Sequence, residues 1–372
     1  MSVITAAAPT FTSIYLEDEF LSDMAPVTVG AANYNNGTGA EVDWTLSTIT
    51  LIGGCILCLV TFVTIIGNVL AVVVLTGRKR FRSRATYAFI TSMAIADTFV
   101  GVIVMPFSIT NLLLGKWYFG TIACRLFVSS DVCLCTASCL NLVAVTSDRF
   151  IAVKYPFSYR SILNKRNTKL VIFAVWFASI MISFPPIHLG WNKVEGEEMG
   201  PGECFLEAGI VYTLTDGLGF FFLPLFIMCA MYIQIARVVR HSSKTWKESR
   251  VSNQDSRLGR TVATVMTCFV VCWLPFMSYF TFSGLTSWVP NDPWYSMLFW
   301  LTYFNSTLNP IIYCGTNRHF KEGLLETIRR KPLAKNIKTS VVFKTTASHT
   351  FQSRTTDTEN ETKDTSQSVT AF

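Results

Sequence analysis

Three carboxylates stand where a charge is hard to keep. Asp97, Asp131 and Asp216 each fall inside a stretch apolar enough to cross a bilayer, and an ionisable group in such a place marks a functional site by default. Asp131 follows Cys124 by seven residues, which puts it roughly 10 Å deeper along the same helix. Arg149 follows Asp131 by eighteen residues, five turns on and about 27 Å deeper on the same face. One helical stripe therefore carries an anion towards one end and a cation towards the other. Apart from Arg125, at the outer end of the third stretch, no Lys or Arg lies in the outer half of any apolar stretch to pair with Asp131. It is either one half of a structural ion pair or an anchor awaiting a cationic guest. Asp216 precedes Pro224 by eight residues. That proline cannot donate to the carbonyl of Phe220, so a kink or bulge is expected just below Asp216. Asp216 is either a second anchor or a carboxylate facing a wet vestibule. Asp97 shares its depth with Asn68, Ser138, Asn305, Ser306 and Asn309. Those oxygens could hold a sodium ion around Asp97; an interhelical hydrogen-bond network without metal reads the same way.

The elements that position these groups follow from hydropathy. A membrane span needs about 20 mostly apolar residues. Seven stretches qualify, near 47–76, 86–113, 121–153, 169–190, 210–237, 258–284 and 294–315. The 372-residue chain is 51% hydrophobic and only 15% charged, against about 25% charge in a soluble protein. The fold class expected is an all-α membrane protein, a seven-transmembrane helix bundle with a short amphipathic eighth helix. Its parts are an extracellular tail over 1–46, the bundle over 47–315, a juxtamembrane helix over 316–331 and a disordered cytoplasmic tail over 332–372.

Basic residues set the orientation. Arg78, Arg80 and Arg84 follow the first span, Lys154, Arg160 and Lys165 the third, and Arg237, Lys244 and Arg260 lie between the fifth and sixth. That side is cytoplasmic. The net charge of +7 is explained by these loops, so no nucleic-acid partner is invoked. The other side is acidic, from Glu17 to Asp43 and from Glu195 to Glu207. Met1 to Thr50 contains no Lys, Arg or His, so there is no basic leader; the first span reads as a signal anchor. Asn36-Gly37-Thr38 is then an extracellular glycosylation motif. Beyond the seventh span, Phe320, Leu324, Leu325 and Ile328 can face lipid while Arg318 and Lys321 meet head groups.

Most of the 11 cysteines lie in apolar spans as small packing residues. Cys124 and Cys204 lie outside, where an oxidising environment favours a disulfide. It would pin the 190–209 loop over the mouth of the bundle.

At this point the motifs resemble those of rhodopsin-like (class A) G-protein-coupled receptors. Gly67-Asn68-Val69-Leu70, Ala96-Asp97, Asp148-Arg149-Phe150, Trp176, Cys272-Trp273-Leu274-Pro275 and Asn309-Pro310-Ile311-Ile312-Tyr313 occur in order on the expected spans. Asp131, Trp300 and Tyr303 match the aminergic subfamily. Ile187–Asn192 and Tyr212–Leu218, continuing to Pro224, look most like type-2 histamine receptors. Three positions depart: Phe220 stands where those receptors carry a threonine, Phe150 replaces the usual tyrosine, and Cys139 replaces a packing isoleucine.

The resemblance implies recognition, not catalysis. A protonated amine pairs with Asp131, with Tyr303 hydrogen-bonding the carboxylate, while a ring N–H or second ammonium donates to Asp216. Trp273, Phe276, Tyr279 and Trp300 pack the ligand, with Tyr212, Phe220 and Cys135 completing the site. The switch implied is an Arg149 held by Asp148 and Asp255 and released to meet Tyr232 and Tyr313. Pro275, Phe269, Asn309 and Pro310 transmit the motion, and the opened groove takes a heterotrimeric G protein, stimulatory by the short basic 236–260 stretch. Arrestin and receptor kinases would act on the Ser/Thr-rich tail, and membrane lipid surrounds the whole. Runner-up ligands are a diamine, a trace amine or serotonin. A photoreceptor would need a lysine in the seventh span, and Tyr295 to Cys314 has none. A channel or transporter would show repeats, an enzyme a catalytic pair at one depth; neither pattern is found. No cofactor is called for beyond the sodium ion.

Overall fold

The computed structural model describes residues 48–193, 200, 202–245, 253–286 and 293–329. Asn36 and the two tails lie outside the described residues, as does the side chain of Asp255. Besides the four-residue helices Lys79–Arg82 and Tyr159–Ile162, the described residues form seven long helices and a shorter eighth: α1 (Thr48–Gly77), α2 (Ala85–Leu114), α3 (Gly120–Lys154), α4 (Lys165–Leu189), α5 (Ile210–Thr245), α6 (Asn253–Thr286), α7 (Pro293–Thr316) and α8 (Arg318–Ile328). Six of the seven are long and apolar enough to cross a membrane. The seventh, α7, is long enough at 24 residues, but Asn305, Ser306, Thr307 and Asn309 dilute its apolar character. They are buried, because α7 packs between α6 and α1 and turns this polar seam inward.

Helices are the form the sequence must take in lipid, where every backbone group needs an internal partner. Hydroxyls in the spans obey the same demand. Thr61, Thr64, Thr146 and Ser179 each donate to the carbonyl four residues earlier at 2.8 Å, so most mid-span Ser and Thr are self-satisfied. Gly115, at φ 61°, closes α2 with a left-handed residue. Helix α3 is the axis, packed against α2, α4 and α5. Trp176 Nε1 donates to Ser92 Oγ at 3.0 Å, tying α4 to α2. Asn68 Nδ2 donates to the Ser306 carbonyl at 3.0 Å, tying α1 to α7.

Two helices are wound wide. Thr215–Phe222 of α5 is π-helical and so is Val100–Val104 of α2. Each stretch ends two residues before a proline, Pro224 and Pro106, which withholds one N–H from the ladder and loosens the turn before it. The bulge expected below Asp216 therefore includes Asp216 itself. The one in α2 has the same cause. Phe320 differs from expectation: it is 2% exposed and packs on the Tyr313 ring at 5.7 Å. It anchors α8 to α7, leaving Leu325 and Ile328 as the exposed apolar residues.

Candidate functional site

Helices α2, α3, α5, α6 and α7 enclose a cavity of about 290 Å³, covered by Cys204, Phe205 and Leu206 of the loop before α5. The cover is held by the Cys124–Cys204 disulfide, whose Cα atoms are 5.7 Å apart across 80 residues of chain. Asp131 and Asp216 both line this cavity. Asp131 Oδ1 accepts from the Cys135 thiol at 3.5 Å, a weak contact. The π-helical turn carries Asp216 to the facing wall, with Phe220 and Phe221 a turn deeper. Cys139 Sγ reaches the Phe220 carbonyl at 3.9 Å.

The rest of the wall is aromatic. Trp273 stacks on Phe269 with centroids 5.9 Å apart and lies 6.3 Å from Phe221. Phe276 meets Phe299 at 5.5 Å and Tyr295 at 5.7 Å. Trp300 also faces the space. The wall thus offers methylenes and rings an apolar bed and offers two negative charges. Among the described residues no Lys, Arg or His lines it.

Of the ligand residues expected from sequence, Asp131, Asp216, Trp273, Phe276, Trp300, Phe220 and Cys135 face the cavity. Tyr303, Tyr212 and Tyr279 do not line it. Tyr303 is 1% exposed behind Trp300 and Phe299. Its hydroxyl lies within reach of both Asp131 and Ser108. Tyr212 is buried one turn above Asp216. Tyr279 packs on Tyr295 at 6.0 Å. Sequence reasoning missed Phe299, Tyr295, Phe280 and Cys139. The signals were present: Tyr295 and Phe299, like Phe276 and Phe280, are four apart, and so are Cys135 and Cys139.

A polar centre lies below the cavity. Asp97 is fully buried and accepts from Ser138 Oγ at 3.1 Å, Ser306 Oγ at 2.9 Å and Asn309 Nδ2 at 2.8 Å. Asn305 makes no hydrogen bond to Asp97; Ser306 takes that place. The Oδ1 atoms of Asn305 and Asn309 are buried without a partner among the described residues.

The end of α3 away from the cavity holds a second polar cluster. Asp148 Oδ2 accepts from Arg149 Nη2 at 2.6 Å and Nε at 2.9 Å. Thr86 Oγ1 donates to the same oxygen. Tyr159 Oη, from the loop after α3, donates to Oδ1 at 2.7 Å. Burial, and then the Asp148 charge, pushes the Tyr159 phenol up to about 12, so it stays protonated and donating. Asp148 is fully buried and Arg149 is 7% exposed. Thr86 and Tyr159 were not expected from sequence. Tyr232 and Tyr313 lie further off, their hydroxyls buried without a partner among the described residues. Pro275 and Pro310 lie within α6 and α7.

Comparison with known proteins agrees with this geometry. Residues 67–313 match the family described as "7 transmembrane receptor (rhodopsin family)". The human histamine H2 receptor is 36% identical over 300 residues, covering 77% of this chain and 82% of that receptor. The dog histamine H2 receptor is 34% identical over 312 residues, 81% and 86% of the two chains. The alpha-1A adrenergic receptor of Oryzias latipes is 29% identical over 369 residues, 87% and 77%. The carboxylate over an aromatic floor, the disulfide-pinned cover and the paired arginine at the far end of α3 thus belong to a chain that is a member of the rhodopsin family of seven-transmembrane receptors and is similar to histamine H2 receptors.

Proposed function

We propose that this receptor binds a small protonated biogenic amine, histamine-like in kind, from the extracellular side and activates a heterotrimeric G protein, of the stimulatory type, raising cyclic AMP. A receptor of this family is not an enzyme, and its relatives named for histamine, adrenergic and dopamine ligands are receptors for amines. The observation that carries the amine reading is Asp131, a carboxylate in the wall of a covered apolar cavity that meets the Cys135 thiol and no cation among the described residues. An ammonium group supplies the missing charge and up to three donors. The orientation with the N-terminus outside rests on the basic loops, and places Asn36 for glycosylation and the Ser/Thr-rich tail before receptor kinases and arrestin. The test is a screen of cells expressing the chain against histamine, serotonin, diamines and trace amines, reading cyclic AMP and calcium. Silence across the panel, with receptor counted at the surface, would sink the reading.

A sodium ion at Asp97 belongs to the same proposal. The donor set fits a hard cation: a fully buried carboxylate, two hydroxyls and unpartnered amide oxygens at the same depth. Asp131 lies seven residues above Ser138 on α3, roughly 10 Å away. Two unit charges at that distance repel by about 1–2 kcal/mol at an effective dielectric of 20. Replacing sodium by N-methylglucamine is therefore expected to raise amine affinity roughly tenfold. Asp97→Asn should abolish that dependence. Equal amine affinity in both salts for the unaltered receptor would remove the ion from the account.

A further inference from the structure

We propose that the cavity is built for a dication: an aliphatic diamine whose two ammonium groups pair with Asp131 and Asp216 at once. The inference rests on the amine reading and narrows it.

The two carboxylates line one space of about 290 Å³ from two different helices, α3 and α5. Neither carboxylate is neutralised by the protein. No Lys, Arg or His lines the cavity. Nor can one come from the extracellular stretches 1–47, 194–199 and 287–292, which contain none of these residues in sequence. Asp216 accepts no hydrogen bond among the described residues, and Asp131 accepts one from a thiol.

An occupant that satisfies only Asp131 leaves a second carboxylate dehydrated and unpaired, which is the unfavourable half of every buried ion pair. A ring N–H relieves it in part. A second ammonium relieves it fully, with charge and three donors. The material between the two anchors suits a methylene chain. Phe220 and Cys139 lie beside Asp216 and give its neighbourhood no hydroxyl lining the cavity within a turn. A ring nitrogen acting as acceptor would find no donor there, while CH₂ groups need none.

The test uses purified full-length receptor and needs no G protein. Its melting temperature is followed against 1,5-diaminopentane, 1,4-diaminobutane, histamine and pentylamine. The expected order places a diamine first, with half-maximal stabilisation at least about tenfold below pentylamine. In Asp216→Asn the diamine advantage should fall below about threefold, and Asp131→Asn should lose the response to every amine. Stabilisation by pentylamine or histamine as strong as by either diamine would overturn the dication and leave the amine reading standing. No stabilisation by any amine would overturn both. If Asp216→Asn yields no folded receptor, acetylating one end of the diamine to a neutral acetamide supplies the same comparison on the unaltered chain. Equal potency of diamine and acetamide would again overturn the proposal.

Discussion

Asp131→Asn is expected to remove the amine response at any practical concentration while the receptor still reaches the cell surface. The substitution keeps the size and planarity of the side chain and deletes its charge. An incoming ammonium must shed its water to enter the covered cavity, and the carboxylate is what compensates it. Without that charge the guest is a desolvated cation facing an amide dipole and aromatic faces. Breaking one side of a buried pair costs about 3–5 kcal/mol, which is two to nearly four orders of magnitude in affinity. The apo receptor should feel the change far less. Asp131 is met by the Cys135 thiol at 3.5 Å and by the Tyr303 hydroxyl, both uncharged, so a neutral amide in its place leaves no protein charge unpaired. Loss of ligand binding with unaltered surface number therefore separates a recognition role from a folding role. Radioligand or fluorescent-amine binding with parallel surface counting makes the measurement. Retained binding within about tenfold of the unaltered receptor would end the role assigned to Asp131, since the lost pair is worth at least a hundredfold.

The spans were legible because their length and apolar content leave no other fold in lipid, and Asp131 was legible because a carboxylate among such residues needs a reason. The disulfide could be read from two cysteines placed outside the apolar runs, and the pair is formed. Helical phase was harder. A one-residue step turns a side chain by about 100°, so Ser306 rather than Asn305 reaches Asp97, and Tyr212 and Tyr279 turn out of the cavity they seemed placed to line. The two π-helical stretches add a local slip of phase that composition alone does not fix, although Pro106 and Pro224 mark where it occurs. Tertiary partners of ordinary type were harder still. Thr86 is one of many threonines, and nothing in its local sequence shows that it faces Asp148 across two helices. Tyr159 comes from a loop whose path back to α3 is set only by packing.

That inner cluster carries the second large effect. Asp148→Ala is expected to raise basal, ligand-free signalling and to lower the thermal stability of the empty receptor. Asp148 is fully buried and draws four donors from three residues, Arg149, Thr86 and Tyr159. Removing it strips Arg149, itself 7% exposed, of its buried counter-charge, a loss of about 3–5 kcal/mol from the state that holds the pair. A shift of about 5.5 kcal/mol carries a two-state equilibrium from 1:99 to 99:1, so this loss is large enough to expose a minor open state. Tyr232 and Tyr313, with hydroxyls unpartnered in the closed arrangement, are the groups that a released guanidinium can meet. Two milder substitutions grade the effect. Tyr159→Phe and Thr86→Val each remove one donor to Asp148, and a hydrogen bond to a charged group contributes about 1.5–3 kcal/mol. Each should raise basal activity less than Asp148→Ala, and combining Tyr159→Phe with Asp148→Ala should add little, because the bond it deletes is already gone, whereas Thr86 also accepts from Arg149 Nη2. Basal cyclic AMP per surface receptor and the melting temperature of the purified empty protein give the two readings. Basal signalling unchanged in Asp148→Ala, with Arg149 still immobile, would mean that another carboxylate on α6 holds the arginine and that this cluster is structural alone.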